Sequence, residues 1–231
     1  MDDVTRFAWH ETSDVLAELA REGTLRRDAD GRRGLVLERD GEPLGVRVEL
    51  PAIFPLPDDL EDIGAYVEAL DDDLGIQLVV LLQAGAAAIA VFDDGEPVRH
   101  KAIKKYVVRG TGKAQSTHLK TKGKSRYGSR LRLRNANALL DEVQDKVAEW
   151  DGEFGPFDSV WYSCPVRLWA DLLAARTGSA LEGGDDVEVH RIPLHVHVPT
   201  YKELERVYRL LTHGRVVRGS DPRPDDEDTI D

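Results

Sequence analysis

The longest apolar run in this chain, Leu78 to Phe92, is broken by Gln83 and Gly85. A membrane span needs about 20 uninterrupted apolar residues, and no stretch here reaches that length. Split at its break, the run reads as two strands, Ile76–Leu82 and Ala87–Phe92. A third strand, Pro97–Val108, follows a tight turn at Asp93-Asp94-Gly95. These three neighbours set the pattern for everything downstream.

After them come a basic loop and a long helix, expected over Tyr127–Trp150. Its residues Ala136, Leu140, Val143, Val147 and Trp150 recur at the spacing of one buried helical stripe. A strand (Phe157–Ser163), a helix (Arg167–Arg176), a strand (Val187–Val198, interrupted at Pro193) and a helix (Tyr201–Leu211) complete the region. Three antiparallel strands followed by α/β units is the order of an RNase H-like mixed sheet, so the expected class is α/β (α+β). Residues 1–63 read as a small N-terminal α/β module. It has a helix over Ser13–Arg21, strands Gly34–Arg39 and Leu44–Leu50 joined at Asp40-Gly41, and a proline-rich linker at Pro51–Asp59. The expected division is therefore 1–63, a main domain over 64–212, and an acidic, disordered tail over 213–231.

With 231 residues the chain can bury one good core and a small accessory domain. Its start, Met-Asp-Asp-Val-Thr-Arg, lacks the basic and then apolar regions of a signal peptide. A single cysteine, Cys164, suits a reducing compartment, so a cytoplasmic, monomeric protein with no membrane partner is expected.

The charge distribution is uneven. Arg99 to Arg134 carries thirteen Lys or Arg and no Asp or Glu, whereas the rest of the chain has 18 basic residues against all 43 acidic ones. A chain of net charge −12 should be repelled by nucleic acid, so positive charge concentrated in 36 residues reads as a focused phosphate-binding device. A charge run by itself is more often a solvated face. Complete exclusion of acids from this one segment reverses that preference. Seven of the nine lysines lie inside it.

Within the segment, Gly110 and Gly112 permit a sharp bend and close backbone approach to a ligand. Lys104, Lys105, Arg109, Lys113, Lys120, Lys122 and Lys124 flank the bend, and Arg126, Arg130 and Arg134 follow at i, i+4, i+8 on the helix. All ten are candidate RNA contacts. A nucleotide-binding Walker A loop is excluded, because Ala114 follows Lys113 and Val107 stands where the first glycine belongs.

Tyr106-Val107-Val108-Arg109, Gly112-x-x-Gln115-Ser116, Tyr127-Gly128-Ser129-Arg130-Leu131-Arg132 and a helix ending at Trp150 together resemble the Vms-like release factors. These are relatives of the catalytic middle domain of eukaryotic and archaeal class-1 peptide-chain release factors. The resemblance covers about residues 74–212 and is strongest over 104–150. It implies an RNase H-like fold whose loop enters the peptidyl-transferase centre, with Gln115 as the catalytic position and Gly112 as the hinge. It also implies the large ribosomal subunit and peptidyl-tRNA as partners of the basic cluster. Conventional release factors carry Gly-Gly-Gln; here Lys113 and Ala114 separate Gly112 from Gln115, as in the Vms-like branch.

The function expected is a stop-codon-independent peptidyl-tRNA hydrolase that rescues stalled large subunits. A glutamine is a poor general base; it can hold a water, or its backbone N–H can face a developing oxyanion. Two alternatives stand beside it: a non-catalytic ribosome-binding factor, and a nuclease cutting the tRNA 3′ end, for which His118 is the nearest candidate base. No cofactor or metal is expected. His195 and His197 share a strand face near His190 but lack further ligands. Asp93 and Asp94 are explained by their turn, Cys164 as a small buried residue, and Trp161 and Trp169 as core.

Overall fold

A computed structural model describes residues 3–28, 34–56, 63–105, 124–184 and 187–219. In chain order the elements are β1 (Asp3–Ala8), α1 (Thr12–Glu22), β2 (Thr24–Arg27), β3 (Leu35–Arg39), β4 (Glu42–Glu49), α2 (Ile63–Glu68), β5 (Ile76–Gln83), β6 (Ala86–Asp93) and β7 (Glu96–Lys104). There follow α3 (Lys124–Phe154), β8 (Ser159–Ser163), α4 (Val166–Ala175), β9 (Glu188–Arg191), α5 (Tyr201–Thr212) and β10 (His213–Arg218). The chain divides into two units: Met1–Leu74 with Ile192–His195 and Glu205–Asp231, and Gly75–Arg191 with Val196–Leu204.

The first unit holds an antiparallel sheet in the order β1-β10-β4-β3-β2. Its hairpin turns at Asp40 and Gly41, both at positive φ (54° and 84°), the pairing a tight two-residue turn needs to match strand twist. Leu16 and Leu19 of α1 pack on Leu25, Leu35, Leu37, Val46 and Val48. Two expectations are corrected here. Residues 213–218, expected within an acidic tail, form β10, which pairs with β1 from Asp3↔Arg218 to Ala8↔His213 and with β4 on its other side. The described part of the linker, 51–56, buries Ala52 and Phe54 among its prolines, so those residues are packed rather than solvated.

The second unit is built on a mixed sheet in the order β7-β6-β5-β8-β9, with β5, β6 and β7 antiparallel and β8 and β9 parallel to β5. That is the RNase H-like order read from the sequence. Six consecutive residues of β5 and seven of β6 are buried, which explains why both strands carry near-continuous apolar runs, Leu78–Leu82 and Ala86–Phe92, rather than alternating ones. At the edge, β7 buries only Ile103 and exposes Glu96, Pro97, Arg99, His100, Lys101 and Lys104, charges and a proline that blunt an open sheet edge.

Helix α3 lays Leu139, Leu140, Val143, Val147 and Trp150 on Leu78, Val80, Ala87 and Ile89. The buried Gln144 on the same helix is satisfied on both atoms: its Nε2 donates to Leu172 O at 2.8 Å and its Oε1 accepts from Ser179 Oγ at 2.7 Å. This ties α3 to α4. Gly75 needs its positive φ (57°) and lack of Cβ because Asp158 closes on it, accepting the Ile76 N–H at 2.6 Å. The strand expected over Val187–Val198 is shorter than read: β9 ends at Arg191, since Pro193 offers no N–H to a ladder. Thr200 then caps α5, its Oγ1 accepting the Glu203 N–H at 3.1 Å.

Candidate nucleic-acid interface

The basic segment begins on β7 and ends on α3. Lys104 is exposed at the last position of β7. Lys105, one residue on, is held at both ends: its N–H donates to Gly85 O at 2.8 Å, and its Nζ lies 2.6 Å from Glu142 Oε2 on α3. Earlier on the same strand, Arg99 pairs with Glu153 Oε1 at 2.6 Å and stands 5.5 Å from the Phe154 ring. The cations of β7 nearest α3 are thus partly neutralised by the carboxylates of its second half, and Lys105 acts as an anchor for the loop base.

The first half of α3 is different. The helix starts at Lys124, three residues ahead of the expected Tyr127, so Lys124 and Arg126 stand in its first turn. Arg130 and Arg134 are exposed, and among the described residues no carboxylate pairs with either. With Leu133, Asn137, Ala138 and Asp141 they line a shallow depression of about 460 Å³. Leu133 is 65% exposed. Cations at a helix N-terminus and acids toward its C-terminus oppose the helix macrodipole, at roughly 0.3–1 kcal/mol for each charge in a terminal turn. The order of charges along α3 therefore does not contribute to the helix's own stability.

Arg109, Gly112, Lys113, Gln115, His118, Lys120 and Lys122 lie outside the described residues. His195 and His197 do not share a strand face, because residues 192–200 are irregular. His195 O accepts from Arg206 Nη2 at 2.8 Å, and the His197 N–H donates to Glu203 Oε1 at 2.7 Å. His190 stacks on Trp161 with ring centroids 4.6 Å apart. Among the described residues, no three His, Cys, Asp or Glu are grouped to hold a metal ion. Asp94 sits in its turn at φ 48°, its N–H donating to Gly75 O. Cys164 is buried, and that burial pushes its thiol up to about 12. Trp161 is buried, and Trp169 stacks on Tyr162 at 3.8 Å.

Comparison with known proteins decides the family. The family described as Bacteroidetes VLRF1 release factor matches residues 77–218, from β5 through β10. The chain belongs to this release-factor family. Among curated relatives, the mouse protein named tRNA endonuclease ANKZF1 is 32% identical over 152 residues, and the human protein of that name 33% over 150. Each match takes in 63% of this chain and 20% of the relative, so the chain spans about a fifth of their length. A solved structure named Vms1 mitochondrial localization core aligns over 89% of this chain and 83% of its own, with 14% identity and a TM-score of 0.46. The family match over residues 77–218 is what bears out the Vms-like release-factor resemblance read from the sequence, and the acid-free basic segment lies within those residues. No helix among the described residues is long and apolar enough to cross a membrane.

Proposed function

We propose that this chain frees nascent polypeptides from tRNA on the large ribosomal subunit, without reading a stop codon. One observation carries the reading: in a chain of a release-factor family, Gly112-x-x-Gln115 sits within 36 residues that hold thirteen cations and no acid. Its two ends are the exposed edge strand β7 and the arginine-bearing start of α3. The chain between them, 106–123, is long enough to carry its tip about 30 Å from the base at roughly 3.5 Å per extended residue. Arg130 and Arg134 would lie along an RNA backbone while the tip reaches the peptidyl-tRNA end.

At that end the first reading is hydrolysis of the peptidyl ester. Water attacks the ester carbonyl carbon, the C–O bond to the ribose breaks, and the ribose oxygen leaves with a proton. The Gln115 amide would hold the water and a loop N–H would face the oxyanion, with the ribosome completing the site. The name of the ANKZF1 relatives favours a second reading, cleavage of the tRNA strand itself. There a ribose 2′-hydroxyl gives up its proton and attacks the adjacent phosphorus, the P–O5′ bond breaks, and the 5′ oxygen leaves with a proton while a 2′,3′-cyclic phosphate remains; Lys113 would offset charge on the phosphate. Both readings detach the peptide, and both place Gln115 at the reacting bond.

The 3′ end of the product tRNA separates them. Large subunits carrying peptidyl-tRNA are incubated with the full chain, and the tRNA is sequenced at its 3′ end and tested for recharging. An intact, rechargeable CCA end supports ester hydrolysis. A shortened tRNA, with CCA left on the peptide, supports strand cleavage. Unchanged peptidyl-tRNA at saturating protein contradicts both, and stoichiometric binding without turnover would favour the non-catalytic factor.

A further inference from the structure

Most acids on the second half of α3 are engaged. Glu142, Asp145, Glu149 and Glu153 pair with Lys105, Arg176, Lys146 and Arg99 in turn. Asp141, the first acid after Arg134, is exposed and pairs with no cation among the described residues. One turn earlier, the exposed Asn137 side chain has no hydrogen-bond partner among them either. Arg130, Arg134, Asn137 and Asp141 stand at i, i+4, i+7 and i+11, so they form one stripe about 16 Å long at 1.5 Å per residue. Leu133 and Ala138 flank that stripe, and these six residues line the shallow depression of about 460 Å³. Its charge is two cations against one carboxylate, none of them paired among the described residues.

The two ends of the stripe offer different chemistry. Arg130 and Arg134 present forks of donors that match phosphate oxygens. Asp141 repels phosphate, so it suits another part of the same strand. When ionised it only accepts hydrogen bonds, and its two oxygens can take two parallel donors. Among the four RNA bases, guanine alone carries two adjacent donors, N1–H and N2–H, on its Watson–Crick edge, with the O6 acceptor beside them. Asn137 lies one turn from Asp141, about 5–6 Å between Cβ atoms, and its amide N–H can donate to that O6. Leu133, 65% exposed, and the half-buried Ala138 supply an apolar bed for the face of the base. Unpaired bases turned out of the stack are what proteins chiefly read in RNA, through such edges.

We infer that this face of α3 takes one unpaired guanine of the RNA whose phosphates Arg130 and Arg134 hold. Asp141 accepts from its N1–H and N2–H, Asn137 donates to O6, and Leu133 lies under the ring. The inference rests on the proposed function and adds a base preference to it. The probes are short fluorescein-labelled oligouridines with G, A, C or U at one central position, bound to the full chain. The parent should bind the G probe at least fivefold tighter than the other three. Asp141→Asn removes a negative charge, so it should bind the U probe at least as tightly as the parent while its preference for G falls below about twofold. Asp171→Asn, an exposed change on α4, is the charge control and should keep the preference. Asn137→Ala should lower the preference at unchanged salt dependence. Arg130→Ala should weaken all four probes alike, with a smaller dependence on log salt and the preference intact. Thermal melting checks that the variants fold. Equal binding of the four probes by the parent, or a preference that survives Asp141→Asn, overturns the site. Peptide release by the parent is measured in parallel on large subunits carrying peptidyl-tRNA. Release without a preference for G defeats this inference alone; absence of both defeats the proposed function with it.

Discussion

Leu139→Ala and Leu133→Ala make the same chemical change six residues apart on α3, and their costs should differ severalfold. Leu139 is 1% exposed within the cluster of β5, β6 and α3, whereas Leu133 is 65% exposed beside Arg130 and Arg134. Truncating a buried leucine loses its transfer free energy and leaves a cavity, together roughly 2.7–5 kcal/mol. Against a total stability of about 5–15 kcal/mol, that is roughly a fifth or more of what a typical domain has. For a chain of this size it corresponds to a fall in Tm of roughly 5–20 °C. Leu133→Ala should stay within about 0.5 kcal/mol, as exposed positions do. Urea unfolding followed by tryptophan emission suits the comparison, because Trp150, Trp161 and Trp169 all lie in the second unit and Trp9 alone in the first. Equal costs for the two variants, or a cost below about 1 kcal/mol for Leu139→Ala, would refute the packing of α3 described here. RNA affinity should run the other way, with Leu133→Ala the more sensitive of the two.

Cys164, its thiol raised to about 12, should react with a thiol reagent at pH 8 about a thousandfold more slowly than an ordinary cysteine, and at the ordinary rate in urea; a fast folded-state reaction would show the residue is not buried. Gly214→Ala would drive a Cβ into the Phe7 ring and to 2.6 Å from the Glu49 carbonyl oxygen, so a loss of about 1–3 kcal/mol in chemical denaturation is expected. A neutral result there would argue against β10 lying between β1 and β4. Because Lys105 is committed to Glu142, Lys105→Ala should leave the salt dependence of RNA binding nearly unchanged. Arg130→Ala or Arg134→Ala should each lower the log-log slope by about one in the same titration.

What could be read from the residues alone followed from local pattern. The apolar strands β5 and β6, the stripe on α3 and the Asp40-Gly41 turn each carry their signal within a few positions, and they gave the sheet order of the second unit. Elements defined by distant partners carry no such local signal. β1 buries only Phe7, and its partner strand begins at His213, at the other end of the chain, so nothing local marks either as a strand. Leu139 falls outside a single helical stripe, because the buried face of α3 is wider than one. In 51–56 the prolines signal a linker, but Ala52 and Phe54 between them decide its packing. At the site, Gly112 and Gln115 are legible only as sequence. The engagement of Lys105 by Glu142 needed the third dimension, since it depends on β7 and α3 lying side by side.

The most direct test of the whole account compares the full chain with Gln115→Ala on large subunits carrying peptidyl-tRNA, with freed peptide and ribosome binding measured in the same samples. The expected result is peptide release by the parent chain over several turnovers without any stop codon, and none by the variant, while ribosome binding changes by less than about twofold because one neutral tip residue adds little to a many-phosphate interface. Full release by Gln115→Ala, or none by the parent chain at saturation, would contradict it.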